Sequence, residues 1–280
     1  NYGFEAMLSY GHRWGDFGWD SSFTFSANKN EIVELVKDYV HPETGKTYNV
    51  DKLELKTDEG RGFGKAKFIL KEGGTLGDLY THADLKRDIN GNILIDDSGN
   101  VTAIDNAGDI KLGSVLPKAN LAWNNSFSYK GINAGFLLTA RLGGIVYSAT
   151  QAYLDLYGVS ETSAAARDAG GVWINGRSRV NPQSFYEVVA SQSGLPTYYT
   201  YSATNLRLQE AHIGYTVPRR WLGNVCDINV SLVGRNLWMI YCKAPFDPEA
   251  VATTNNYYQG IDYFMMPSTR NIGFNIKINF

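Results

Sequence analysis

Apolar and polar positions alternate with period two over seven stretches of this chain. Tyr2, Phe4, Ala6, Leu8 and Tyr10 stand against Gly3, Glu5, Met7, Ser9 and Gly11. Phe17, Trp19, Phe23 and Phe25 stand against Gly18, Asp20, Ser22, Thr24 and Ser26, and Leu121, Trp123, Phe127 and Tyr129 against Asn120, Asn124, Ser126 and Ser128. Ile132 to Leu142, Ala211 to Val217 and Cys226 to Leu232 repeat the pattern, and Ile272, Phe274, Ile276, Ile278 and Phe280 close the chain with it. Each stretch predicts a strand with one apolar and one polar face. The expected strands lie near 2–12, 17–28, 119–130, 132–143, 205–217, 225–240 and 270–280, with Trp238–Lys243 prolonging the sixth past a kink near Gly234.

The connections alternate too. Short turns fall around Arg13–Asp16, at Lys130-Gly131 and over Pro218–Val225, and long segments lie between them, near 29–118, 143–204 and 241–269. Short turns at one end and long loops at the other are the layout of outer-membrane β-barrels. Tyr10, Trp14, Phe17, Trp19, Phe127, Tyr129, Tyr215, Trp221 and Phe280 cluster beside the short turns and are expected at one level, as an interfacial girdle. Arg13, Lys130, Arg219 and Arg220 lie just beyond, in water. A soluble β-sandwich also alternates, but seldom carries loops of this length. The fold class expected is therefore all-β, an antiparallel transmembrane barrel with long extracellular loops.

Loops this long carry structure or function of their own. Lys65–Leu70 reads as a strand, and Asn90-Gly91 as a hairpin turn between Asp84–Ile89 and Asn92–Asp96. Ala149–Tyr157 and Thr162–Ala169 have helical composition. Together these should form a superstructure over a barrel mouth.

Composition narrows the class. The 280 residues carry 18 Tyr, 13 Phe and 6 Trp, side chains suited to a boundary with one apolar and one wet side. Net charge is −2, so no bulk field attracts nucleic acid or an anionic membrane. Cys226 and Cys242, on one extended segment, would lie roughly 50 Å apart and remain free thiols. No run is long and apolar enough for a transmembrane helix. The chain opens directly in a strand pattern with no leader, which favours a portion of a longer polypeptide; an odd strand count points the same way.

Motifs for chemistry fail on inspection. Gly45-Lys46-Thr47 resembles the end of a phosphate loop, but Val40 stands where glycine is required. Gly60, Gly62 and Gly64 miss the dinucleotide-binding spacing. His12, His41, His82 and His212 are scattered, without metal-ligand spacing. Asp88, Asn90 and Asn92 mimic the start of a calcium loop, yet Gly99 occupies its twelfth position. No catalytic residue, metal or cofactor is expected, and the chain is not read as an enzyme. Loop aromatics Tyr153, Tyr157, Trp173, Tyr198, Tyr199, Tyr257 and Tyr258 could contact a substrate or a lid, or simply pack the loops.

The last fifty residues carry a specific series: SLVGRNLWMIY, DPEA, GID, MPSTR, then the alternating strand ending in Phe280. It resembles the C-terminal signature of the SusC/RagA family of TonB-dependent outer-membrane transporters. KEGGTLGDLY (Lys71–Tyr80), LGSVLPKANLAWNNSFSYKGI and NLRLQEAHIGYTVP (Asn205–Pro218) resemble further family stretches, in the same order. The resemblance covers essentially the whole chain; Cys242, in MIYCKAPF, departs from it. It implies the C-terminal portion of a plugged barrel of about 22 strands, multi-pass in the bacterial outer membrane. The plug domain and TonB box would lie outside residues 1–280. It implies import of a glycan, oligosaccharide or peptide, energised through TonB, with a SusD-like surface lipoprotein as lid. The rest of the barrel, the plug and membrane lipid would be further partners, and nucleic acid would not. Arg235, Asn236, Asp247, Glu249 and Arg270 are expected to organise the external rim, and Phe280 resembles the signal read by the barrel-assembly machinery. A passive porin-type channel and a soluble β-rich carbohydrate-binding module are the rival readings.

Overall fold

The computed structural model describes residues 1–55, 63–223, 225–254 and 258–279. Seven long strands form one antiparallel sheet in chain order: β1 Tyr2–Trp14, β2 Phe17–Lys29, β3 Ala119–Tyr129, β4 Ile132–Leu142, β5 Asn205–Val217, β6 Asp227–Cys242 and β7 Asn271–Asn279. The β3–β4 turn is Lys130-Gly131, both at positive φ (46° and 88°), as a tight right-twisted hairpin requires. Phe280, the expected end of the last strand, lies outside the described residues.

Register converts the sequence alternation into two continuous surfaces. Trp14, Phe17, Tyr129, Ile132, Tyr215, Val230 and Ile276 stand side by side in one row across the whole sheet. The next row on that face is His12, Trp19, Phe127, Ala134, Ile213, Leu232 and Phe274. On the other face run Arg13, Gly18, Ser128, Asn133, Gly214, Ser231 and Asn275. The girdle is thus not at a single level: its aromatics occupy two adjacent rows, roughly 7 Å apart along the strands, and Tyr10, paired with Ser21, lies one row further. Trp221 sits in the β5–β6 turn, in a short helical turn at Arg219–Leu222.

Besides His12, the apolar face carries Ser21 and Asn125 in mid-strand. Each is met by an indole: Trp123 Nε1 donates to Ser21 Oγ (3.0 Å) and Trp19 Nε1 to Asn125 Oδ1 (3.1 Å). The face is otherwise bare, with Leu8 73% and Phe274 77% exposed.

A bulge in β5 explains why its apolar positions change parity. Leu137 pairs with Glu210 and Leu138 with Leu208, leaving Gln209 unmatched, so Leu208 and Ala211 share a face. On β6 one irregularity lies between Arg235 and Trp238, with Asn236 at φ 52°, and a second between Met239 and Tyr241. The kink expected near Gly234 therefore sits two residues later.

The buried apolar cluster is in the connections, not in the sheet. The first, between β2 and β3, contributes a small sheet of Lys52–Glu54, Ala66–Lys71, Asp78–Thr81 and Ile110–Ser114. The second, between β4 and β5, contributes helices α1 Ala149–Leu156, α2 Glu161–Asp168, α3 Pro182–Val189 and α4 Pro196–Tyr199. The third, between β6 and β7, contributes Ile261–Asp262, parallel to Tyr147–Ser148. Phe68, Leu79 and Val115 from the first, Tyr147, Phe185 and Leu195 from the second and Ile261 from the third close one cluster. Ser148 and Ser160 cap α1 and α2 through their hydroxyls. The α3 helix, unanticipated from composition, has its own signal, an Asn181 cap followed by Pro182.

The Asn90-Gly91 turn is present, and the hairpin around it is short: Arg87 bridges Ile93, Asp88 N donates to Asn92 O (2.8 Å) and Leu94 N to Lys86 O (2.9 Å). Asp84–Leu85 pairs with Ala103–Ile104 instead of with the second arm, and a further bridge joins Ile95 to Val101. A second turn of the same kind intervenes at Asp96–Asn100. Both carboxylates are spent on their own turns: Asp88 Oδ1 accepts from the amides of Asn90 and Asn92 (2.8 Å each), and Asp96 Oδ1 from those of Ser98 and Asn100.

Candidate functional site: the loop superstructure and the polar wall beneath it

The motifs that stand out in the sequence turn out to be the joints between loops. In the Gly-rich stretch Lys71–Tyr80, Asp78 is buried and accepts from Thr75 N (3.1 Å), Thr75 Oγ1 (2.7 Å) and Lys111 Nζ. Thr75 Oγ1 in turn meets Ser114 Oγ at 2.8 Å, and Val115 N donates to Gly77 O at 2.9 Å. One motif is thereby docked onto the next, LGSVLP.

The GID triplet joins the third loop to the second. Tyr147 N donates to Gly260 O (2.9 Å), and Ser148 Oγ to Asp262 Oδ2 (2.6 Å). Gly260 has φ 64°, and a Cβ there would stand 2.5 Å from Val115 Cγ1, so backbone conformation and packing both select glycine.

The DPEA motif is held by NLRL. Arg207, at the head of β5 and 5% exposed, donates from both terminal nitrogens to Asp247 (2.8 and 3.1 Å) and lies 3.2 Å from Glu249. Its Nε donates to Asn205 Oδ1 (3.2 Å), while Asn205 Nδ2 donates to Glu249 Oε1 (3.2 Å). Burial pushes the Asp247 carboxyl up, but Arg207, the Glu249 amide and Ser268 outweigh it and hold its pKa below the ordinary value. Ser268 belongs to MPSTR, so that motif enters the same knot.

The expected rim residues therefore divide. Asp247 and Glu249 meet at Arg207, which sequence reasoning missed although the LRL motif contains it. Arg235 forms an exposed pair with Glu210 (3.0 Å), Asn236 donates to Thr269 O (3.3 Å), and Arg270 is exposed.

The loop aromatics divide as well. Tyr199 is buried; its hydroxyl donates to Asp155 Oδ2 (3.0 Å), and burial raises its pKa strongly. Tyr198 packs edge-on against Phe185, and Tyr258 is half-buried against the cluster. Tyr153 packs its ring, tilted, against Tyr263 and Phe264 at the junction of the second and third loops. Tyr157 and Trp173 are exposed, and Arg179 lies over the Trp173 ring at 4.5 Å. Tyr257 lies outside the described residues.

Below this body the polar face of the sheet forms a wall. At its top rung Glu5, Ser26, Asn120, Arg141 and Asn205 lie side by side. A pocket of about 830 Å³ opens against this rung and the one below, and a second of about 680 Å³ reaches up between wall and loops. Among the described residues no group of three or more His, Cys, Asp or Glu side chains could hold a metal ion, and both cysteines are free thiols.

No protein-family model matches the chain. TonB-dependent receptor P3 of Formosa agariphila is 25% identical over 289 residues, covering 94% of this chain and 27% of that protein. TonB-dependent receptor P26 of the same organism is 25% identical over 306 residues, covering 100% of this chain and 29% of its own. The chain thus spans little more than a quarter of the length of these curated relatives. Among solved structures, the RagAB peptide importer in the 'closed-closed' state superposes with a TM-score of 0.65 at 16% identity, covering 99% of this chain and 29% of that one. A further structure of the RagAB peptide transporter gives 0.63. The chain is homologous to TonB-dependent receptors over nearly its whole length, and its fold is that of the matching part of the RagAB structures.

Proposed function

We propose that the chain forms the C-terminal stretch of barrel wall, with its extracellular loops, of a TonB-dependent importer in the bacterial outer membrane. The apolar face meets lipid, the polar face lines a lumen holding a plug from the rest of the polypeptide, and the loops form part of the mouth. A SusD-like surface lipoprotein covers that mouth. The work is translocation of a glycan, oligosaccharide or peptide, energised through TonB, rather than bond chemistry. Tyr157 and Trp173 are contacts to lid or substrate, Arg235, Asp247 and Glu249 order the rim, and Phe280 serves barrel assembly. The supporting observation is the up-and-down sheet itself: every long connection leaves at one end, and all three fold into one packed body there.

The test is uptake of labelled oligosaccharides and oligopeptides by cells producing the full-length protein, with and without TonB. An importer loses uptake when TonB is removed. Undiminished uptake would mean a passive channel and contradict the proposal.

A further inference from the structure

Arg141 is the basic side chain of the top polar rung, and among the described residues it has no salt-bridge partner. It stands between Asn120 and Asn205 in register. One terminal nitrogen, Nη2, donates to Val115 O at 2.8 Å, and a Cβ at Gly144 would crowd the same nitrogen at 3.3 Å, so glycine leaves room for the guanidinium there. Its Nε is shielded from solvent and has no hydrogen-bond partner among the described residues. Glu249, the acid that acts on it through space, is already committed to Arg207 and Asn205. Arg207 has spent its donors on side chains of the rim; Arg141 has not.

The surroundings are those of a binding site. Arg141 lines the 830 Å³ pocket with Thr24, Asn120 and Thr139, hydroxyl and amide groups on the same polar face. The adjoining 680 Å³ pocket shares Glu5, Ser26 and Asn120 with it, so the two are neighbouring spaces along the wall. A guanidinium on the wall of this pocket, in no salt bridge among the described residues, supplies the charge that a carboxylate requires. Glu5 and Glu249 also line the pocket, and the hydroxyls and amides of Thr24, Asn120, Thr139 and Gln209 suit the rest of a polar oligomer.

We infer that Arg141 is the anion-recognising residue of a subsite on the inner wall, directly beneath the loops, that receives a carboxylate of the transported molecule. The carboxylate comes from a peptide C-terminus or from a uronic acid. The inference rests on the importer reading, which makes the polar face a lumen.

The experiment uses the full-length transporter and two pairs of probes: trigalacturonate with its methyl ester, and trialanine with its C-terminal amide. Wild type should take up or bind the acid at least tenfold better than the neutral counterpart in one pair, and the pair that responds names the source of the carboxylate. Arg141→Gln should erase that preference while leaving the neutral probe within about twofold, and Arg141→Lys should keep part of it. Heat-modifiable migration on a gel establishes that each variant is an assembled barrel. Wild type without acid preference in either pair, preference surviving in Arg141→Gln, or equal loss of acid and neutral probes would each overturn the inference. Loss of TonB dependence with acid preference intact would overturn the importer reading instead.

Discussion

Replacing Arg207 by Ala would leave Asp247, whose side chain is 9% exposed, without its bidentate partner. Removing one member of a buried pair costs about 3–5 kcal/mol, and here the cost falls on the docking of the third loop. Limited proteolysis should cut the Arg207→Ala protein between 243 and 270 well before it cuts the sheet, and Arg207→Lys, which keeps the charge but loses the fork, should lie between. The same knot sets a pH dependence. The Asp247 carboxyl is held below its ordinary value of 3.8, so its contribution to loop docking is complete above that pH and is lost as the pH falls through the depressed value. Exchange of the Glu249 amide, which donates to Asp247 Oδ1 at 3.0 Å, should stay slow, relative to an unstructured peptide at the same pH, from neutrality to about pH 4 and lose protection only below. Arg207 was visible in the sequence only as a letter of a strand motif. Its partner lies forty positions away, and alternation says which face a residue takes, not what it meets there.

Among elements, the long strands were legible because each has one apolar and one polar face, a local property that survives without knowledge of neighbours. The deviations arose where the chain breaks its own period: Gln209 in β5 and Asn236 in β6 re-phase their strands. Short loop strands such as Ile261–Asp262 were illegible because two residues cannot display a period, and their pairing with Tyr147–Ser148 is set by tertiary packing. That packing is testable. Ile261 is fully buried, and truncating such a side chain costs about 2–5 kcal/mol. Ile261→Ala should speed exchange of the Tyr147 amide, which donates to Gly260 O, while the amides of β3 and β4 remain protected. Gly260→Val adds strain at φ 64° to a clash with Val115 and should act more strongly at the same amide. Uniform loss of protection over loops and sheet would show that the two bodies are not separable units.

At the scale of the molecule, hydrophobic burial is inverted relative to a soluble sandwich. The packed cluster lies in the connections, while the large sheet leaves its apolar face bare from Leu8 to Phe274. An exposed apolar surface of that extent requires something to cover it, and in the proposed function that cover is lipid. Neighbouring residues of β7 give the sharpest test, since Phe274 and Asn275 point to opposite faces. In the full-length protein with Cys226 and Cys242 replaced by Ser, Phe274→Cys and Asn275→Cys are each treated in intact outer membranes with a small, charged, water-soluble maleimide. The barrel account predicts rapid labelling at position 275 and protection at position 274 until the membrane is dissolved in detergent. Equal labelling at both positions before detergent, or labelling at 274 alone, would contradict it.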